Sequence, residues 1–370
     1  MHRRMIFHHP YPIMEGTSGS QVRLNRMIEG FKSIGYEVNI ISGFVGERRE
    51  AIRNVKEKFN QGCTCDFLYS ECSTFPTLVA KGNLISPNLD FGFFNWCKKN
   101  SIPVGLFYRD VYWRFDLYKV SLPWFKRTIM IPFYWYDWLN YFKVIDHLFI
   151  PSLKMKDALP SKWPEDKLSA LSPGCRINNL SGNSLKKIEF NDHLNLIYVG
   201  GVVPPLYDLR LLFHALRELN GISLTICCRE SEWNKVKSYY APFDDNKINI
   251  VHVYGDELVT YYKNADLFVL IRQNNPYLNF AMPVKVFEAL GHCVPIITTS
   301  GTETARFIRQ EDIGWVVHTK GELTSLLTHL RINQKEIQRK RDHMAIVRMH
   351  HTWNDRCKQV AETLIGNSKQ

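Results

Sequence analysis

The sequence predicts an α/β protein made of two consecutive doubly wound domains. Three observations carry that prediction. The chain has 370 residues, 45% of them hydrophobic, too many for one ordinary core and enough for two domains of about 150 to 200 residues each. Short apolar runs alternate with helix-period segments twice over, first along residues 1–174 and again from residue 194. Between the two series, residues 176–192 are polar and rich in Asn, Ser and Lys, the composition of a linker.

Each element has a local reason. Residues 5–8 form an apolar run closed by Pro10, and a small-residue loop follows at 16–20. Val22, Met27, Ile28 and Phe31 then recur at helical spacing until Gly35, a residue that ends helices. Residues 37–42 read as a second strand, so the chain opens on a βαβ unit, which implies a parallel sheet with right-handed crossovers. Residues 66–70, 103–108, 147–151 and 168–174 read as the remaining strands of the first domain. In the second series, 194–201 is an apolar run ending on Gly200 and Gly201, and 207–219 is an amphipathic helix. Strands are expected at 222–228, 248–254, 266–271, 295–299 and 314–318, with helices near 258–263, 284–290 and 302–308. Helices close the chain from residue 321. Ligands of such sheets bind at the carboxyl ends of the strands, here expected in a cleft between the two domains.

Composition narrows the partners. The formal charge is +11, and residues 1–180 hold 24 basic and 16 acidic side chains, so most of the excess lies in the first half. Such a chain is expected to meet an anionic surface or a phosphorylated substrate. No nucleic-acid module is visible, so nucleic acid is not an expected partner. The nine cysteines contain no CxxC pair, and they read as free thiols in a reducing compartment. The start has too short an apolar run for a secretory signal, and no stretch reaches 18 apolar residues, so no bilayer-spanning helix is expected.

The stretch from Asp266 to Glu303 carries the chemistry. A buried strand delivers a polar loop, and a helix opens at Met282-Pro283, proline being suited to a helix start. The exposed N–H groups and the positive dipole end there suit an anion such as a diphosphate. Lys285 in the first turn adds a full charge. Glu288 lies three residues on, on the same face, where a carboxylate can take the two hydroxyls of a ribose. Gly301, Thr302 and Glu303 form a second loop into a second helix start.

These residues resemble the C-terminal domain of GT-B glycosyltransferases, especially family 4 and relatives that build bacterial capsules and exopolysaccharides. Glu288 matches the second glutamate of that family's signature, Val294-Pro295-Ile296-Ile297 its Pro-Val-Ile step, and Ser300-Gly301-Thr302-Glu303 the Gly-x-x-Glu that follows. Two positions depart from it. The first glutamate falls at Phe280, and no cation lies between Val202 and Tyr207, where the family carries Arg and Lys. Arg272 at the end of its strand is a candidate replacement.

The resemblance implies a GT-B fold: two Rossmann-like domains facing a cleft, with a final helix near Trp353 crossing back to the first. It implies an acceptor domain at 1–178 plus 352–370 and a nucleotide-sugar donor domain at 179–351. Expected donor-binding residues are Gly200, Gly201, Arg272, Met282, Lys285, Glu288, Gly301, Thr302 and Glu303. Ser18 and Gly19 belong to a donor or acceptor loop, and His8, His9 and Arg109 to the acceptor side, the alternative for the two histidines being core or loop packing. Asp110, following a strand, is the candidate catalytic base; alternatively it pairs with Arg109 or Arg114, or caps a helix. No cofactor or metal is expected, since the chain contains no Asp-x-Asp pair and helix N-termini with Lys285 can hold the leaving diphosphate.

Residues 107–142 contain 15 aromatics interleaved with cations. Trp124, Phe125, Lys126 and Arg127 are expected to face an anionic membrane; the alternative is that the aromatics pack inside the domain. The reading is a cytoplasmic enzyme, peripheral on the inner membrane face, that moves a sugar from a UDP-sugar to a lipid-linked glycan. A nucleotide-sugar epimerase and a non-catalytic partner subunit are the rival readings.

Overall fold

A computed structural model describes residues 3–14, 19–79, 86, 88–177, 192–244, 246–272 and 275–367. Ser18, the loop residues 16–17 and most of the expected linker lie outside the described residues. The chain divides into two compact units: Met1–Pro173 with Trp353–Gln370, and Gly174–Thr352.

In the first unit, β1 (Arg4–His8), α1 (Gly19–Ser33), β2 (Glu37–Ile41), α2 (Val45–Asn60), β3 (Phe67–Glu71), α3 (Leu89–Lys99) and β4 (Val104–Phe107) alternate. Two consecutive helices, α4 (Asp116–Ser121) and α5 (Trp124–Val144), precede β5 (His147–Ile150) and β6 (Leu168–Ala170). The six strands form a parallel sheet in the order β2-β1-β3-β4-β5-β6. Strands β1, β3, β4 and β5 are short apolar runs buried on both faces, as a sheet covered by helices requires, while the edge strands β2 and β6 are partly exposed or half-buried. Strand β6 has three residues, shorter than the expected 168–174.

In the second unit, β7 (Leu194–Val199), α6 (Arg210–Arg217), β8 (Ile222–Cys227), α7 (Glu230–Tyr240), β9 (Ile248–Val251), α8 (Leu258–Asn264) and β10 (Leu267–Leu270) lead to α9 (Val284–Gly291). Strand β11 (Ile296–Thr299), α10 (Glu303–Gln310), β12 (Gly314–Val317), α11 (Lys320–Ile332) and α12 (Gln334–Val347) complete it. The strand order is β12-β11-β10-β7-β8-β9, all parallel, the order of a dinucleotide-binding sheet. Helix α6 starts at Arg210, later than the expected residue 207. The Asp208 carboxylate accepts the Arg210 backbone N–H at 3.0 Å and pairs with its guanidinium, which fixes a turn ahead of the helix.

After the second unit the chain returns to the first as α13 (Trp353–Asn367). Val360, Cys357 and Leu364 are fully buried there. Gly30 of α1 makes room: a Cβ at that position would lie 2.7 Å from Cys357 Sγ and 3.3 Å from the Trp353 carbonyl oxygen. The nine cysteines are free thiols.

Candidate functional site

Each sheet has a point where successive strands leave in opposite directions, and the loops there are open to a ligand. In the second unit this point lies between β7 and β10. It brings Gly200 and Gly201 beside Ile271 and Arg272. Gly201 is packed under an aromatic ring: a Cβ there would lie 2.7 Å from Tyr207 Cδ2. The Tyr198 hydroxyl donates to the Gly201 carbonyl at 2.5 Å. Arg272 reaches over the same ring, its Cζ 5.7 Å from the Tyr207 centroid. Thr299 of β11 pins its backbone on both sides, accepting its N–H at 3.1 Å and donating to its carbonyl at 2.9 Å. Arg272 Nε is buried without a hydrogen-bond partner among the described residues. A buried unpaired guanidinium N–H is costly, and an anion would satisfy it.

Helix α9 starts after Pro283 and carries Lys285 and Glu288 on one face. Lys285 Nζ donates to Glu288 Oε2 at 3.1 Å, and the two side chains keep 20% and 25% of their surface exposed. Tyr262 also approaches Glu288 Oε2, at 3.5 Å, and its ring stacks on His292 at 4.7 Å. Lys285 also senses β8: burial pushes the Cys227 thiol up to about 12 against the pull of the Lys285 charge. Lys285 and Glu288 therefore form an i,i+3 ion pair that stays partly accessible.

The second helix start is more self-contained. Gly301 has φ +83°, a left-handed conformation that favours glycine. Thr302 caps α10, its hydroxyl accepting the Ala305 N–H at 3.1 Å. The Glu303 N–H donates to the Asn279 carbonyl at 2.7 Å, and its carboxylate is held by Arg306 at 2.7 Å. Met282 packs partly buried against the core, and Phe280, in the position of the family's first glutamate, is buried.

In the first unit the corresponding point lies between β1 and β3. The structure separates the two histidines there. His8 is enclosed, with Nδ1 2.8 Å from Ser70 Oγ and Nε2 3.0 Å from Asp90 Oδ1. Asp90 is itself clamped by Arg48 at 2.9 and 3.0 Å. Both ring nitrogens are therefore occupied inside the core, and the expected ligand-facing role for His8 is not what its packing serves. His9 donates from Nδ1 to the Glu71 carbonyl at 2.8 Å, which leaves Nε2 as the lone-pair nitrogen of the neutral ring. Burial, helped by the nearby Arg109 charge, lowers its pKa to about 3.

Arg109 is tied to the end of β3: its backbone N–H points at Cys72 Sγ at 3.2 Å, its Nη2 donates to the Cys72 carbonyl at 3.3 Å, and its Nε is buried without a hydrogen-bond partner among the described residues. Asp110 accepts the Tyr112 N–H at 3.1 Å and the Thr74 hydroxyl at 3.2 Å. Burial raises its pKa against the pull of Arg109 and these two donors. Arg114, the other considered partner, instead binds the Ala158 and Leu159 carbonyls. Gly19 is the first residue of α1.

Of the expected membrane-facing residues, Trp124 and Phe125 are strongly exposed and Lys126 is exposed. Arg127 is half-buried beside Tyr118, its Nε without a hydrogen-bond partner among the described residues. The outward face of α5 continues the apolar stripe through Ile129, Trp135, Leu139 and Phe142, while Tyr134, Asp137, Trp138 and Tyr141 face inward. Among the described residues no helix is long and apolar enough to cross a membrane. Asp137 is not among the site residues expected from the sequence. In the structure it is 6% exposed, and burial raises its pKa to about 7. A lone carboxylate in the middle of an aromatic helix was the available signal.

Two doubly wound parallel sheets, one with the dinucleotide-binding strand order, and a last helix returning to the first unit define a GT-B fold. Residues 208–362 match a family described as glycosyl transferase-like. Three solved structures share the fold. A glycosyltransferase from Rickettsia africae is 14% identical with a TM-score of 0.64, covering 99% of both chains. HepE from Anabaena, in complex with UDP-glucose, is 10% identical with a TM-score of 0.63, over 98% of this chain and 99% of that one. WaaG, a glycosyltransferase involved in lipopolysaccharide biosynthesis, is 13% identical with a TM-score of 0.61, over 98% and 100%. No curated protein sequence matches the chain.

Proposed function

We propose that the protein transfers a sugar from a UDP-sugar to a hydroxyl of a lipid-linked surface glycan at an anionic membrane face. The observation that carries the donor half is the pair of cations at the mouth of the second sheet. Arg272 presents a buried Nε with no hydrogen-bond partner among the described residues, and Lys285 stands accessible in the first turn of α9. A diphosphate bound there meets a helix N-terminus and two positive charges. Glu288 uses one oxygen for Lys285 and Tyr262 and offers its carboxylate to a ribose. HepE, a neighbour of the same fold, was solved with UDP-glucose, which supports UDP as the nucleotide. The leaving diphosphate is stabilised by these side chains and by no resident metal.

On the acceptor side, Asp110 is the proposed base. Its raised pKa makes its carboxylate a better proton acceptor for an attacking hydroxyl than an exposed aspartate. The membrane half rests on α5. Its outward apolar stripe runs from Trp124 to Phe142, about 27 Å along a helix of 1.5 Å rise, beside Lys126 and Lys143. A surface helix ordinarily turns its apolar side inward, so this face suits the headgroup boundary of an anionic bilayer on the cytoplasmic side.

The test is UDP release from a panel of UDP- and GDP-sugars, with a polyprenyl-diphosphate-linked sugar as acceptor. Acceptor-dependent release from a UDP-sugar supports the proposal. Isomerisation of a donor without acceptor would establish an epimerase, and absence of donor binding would establish a partner subunit.

A further inference from the structure

Residues 202–207, Val-Val-Pro-Pro-Leu-Tyr, follow the two glycines after β7 and contain no charged side chain. The loop is nevertheless held at several points. The Tyr240 hydroxyl, at the end of α7, lies 2.7 Å from the Val202 carbonyl and 3.0 Å from the Tyr207 carbonyl, and it accepts the Leu209 N–H at 3.3 Å. The Tyr240 ring is itself stacked on Trp233 and Phe213, with centroids 5.9 and 4.9 Å away. At the near end of the loop the Tyr198 hydroxyl holds the Gly201 carbonyl. Gly201 in turn gives the Tyr207 ring its place, since a Cβ there would meet the ring at 2.7 and 3.0 Å. These contacts set where the Tyr207 ring stands, and it stands against Arg272, whose Cζ is 5.7 Å from its centroid.

Arg272 has few other supports. Thr299 fixes its backbone on both sides. Among the described residues its Nε has no hydrogen-bond partner and no carboxylate pairs with it. Lys285, by contrast, shares its charge with Glu288 at 3.1 Å. A long side chain with nothing to rest on samples many rotamers and loses that freedom when it binds a ligand. A carboxylate would orient the guanidinium, but it would also offset the charge and take up the N–H groups that a phosphate needs. An aromatic face orients the planar guanidinium while leaving its charge and its N–H edge available. We infer that Tyr207 is a positioning residue: its ring supports the Arg272 guanidinium at the glycine loop and so aims it at the donor diphosphate. The inference rests on the donor reading of the second unit and deepens it, because the uncharged loop becomes the platform for a cation delivered from β10.

A double-mutant cycle on the full chain tests the inference. UDP and uridine are titrated calorimetrically into the wild type, Tyr207→Phe, Tyr207→Leu, Arg272→Gln and the Arg272→Gln, Tyr207→Leu double variant. Tyr207→Phe keeps the ring and binds UDP within about twofold of the wild type. Tyr207→Leu removes the ring, so UDP affinity falls about three- to tenfold while uridine affinity is unchanged. In the Arg272→Gln background, itself weaker for UDP, the same substitution changes UDP affinity by less than about twofold, because the group on which the ring acts is gone. Unchanged UDP affinity in Tyr207→Leu overturns the inference. So does a loss of equal size in both backgrounds, a parallel loss for uridine, or a loss in Tyr207→Phe as large as in Tyr207→Leu, since each would show an effect that does not pass from the ring through Arg272. These four results leave the donor reading standing. UDP affinity unaffected by Arg272→Gln alone would instead refute the donor role of Arg272, and the inference with it.

Discussion

Asp137 gives a stability prediction whose sign and size follow from its surroundings. Its carboxyl has an ordinary value of 3.8 in the unfolded chain and about 7 in the folded one, mainly because burial disfavours the charge. An acid raised on folding stabilises the folded state equally at all pH below its unfolded value. Stability then falls as pH rises through the window from about 4 to about 7, and is flat above. Three units correspond to about 4 kcal/mol over the whole window, of which about 2 to 3 kcal/mol falls between pH 5 and pH 8. Asp137→Asn removes the titration and keeps an acceptor for the Thr77 N–H. Urea unfolding followed by tryptophan fluorescence suits the measurement, since seven of the nine tryptophans, Trp138 among them, lie in the first unit. The histidines His8 and His9 titrate in both proteins and cancel in the comparison. The variant should gain about 2 to 3 kcal/mol on the wild type on going from pH 5 to pH 8. A difference that is the same at both pH values would show that Asp137 ionises normally in the folded protein and would refute the reasoning.

Three further outcomes are expected. Leu364→Ala, at a fully buried position of α13, should cost about 2 to 5 kcal/mol of first-unit stability in the same unfolding assay. If the diphosphate is held by side chains and helix ends as proposed, transfer activity survives EDTA undiminished; a loss restored by Mg²⁺ would contradict this. Flotation with vesicles containing phosphatidylglycerol should capture the wild type, and a Trp124→Ser, Phe125→Ser, Ile129→Ser variant should bind at least tenfold more weakly at equal activity on a water-soluble acceptor.

The parts of this protein that were legible in the sequence are those set by neighbours along the chain. Strands β1, β7 and β10 announce themselves as apolar runs, and Lys285 and Glu288 meet because residues three apart share a helix face. Helix α5 gives no such signal as a helix. Aromatic residues on both of its faces erase the period, and its inward face is the one that carries Asp137. Arg272, Tyr207 and Thr299 come together only through the order in which β7, β10 and β11 pair, which spacing cannot reveal. His8 shows the reverse failure. A histidine at a strand end suggests a site, but Asp90, 82 residues away, and Arg48 turn it into part of a buried network. Thr302 and Glu303 likewise have local partners that spacing left unseen, a cap on Ala305 and an ion pair with Arg306.

The central claim is that the second unit grips a nucleoside diphosphate through Lys285 beside Arg272. Calorimetric titration of UDP, with uridine as the comparison, measures it directly on the wild type and on Lys285→Ala. The account predicts that the wild type binds UDP far more tightly than uridine. It also predicts that Lys285→Ala weakens UDP about 10- to 100-fold while leaving uridine unchanged, as expected for loss of one charge-assisted contact to phosphate. Equal UDP affinity in the two proteins would contradict it.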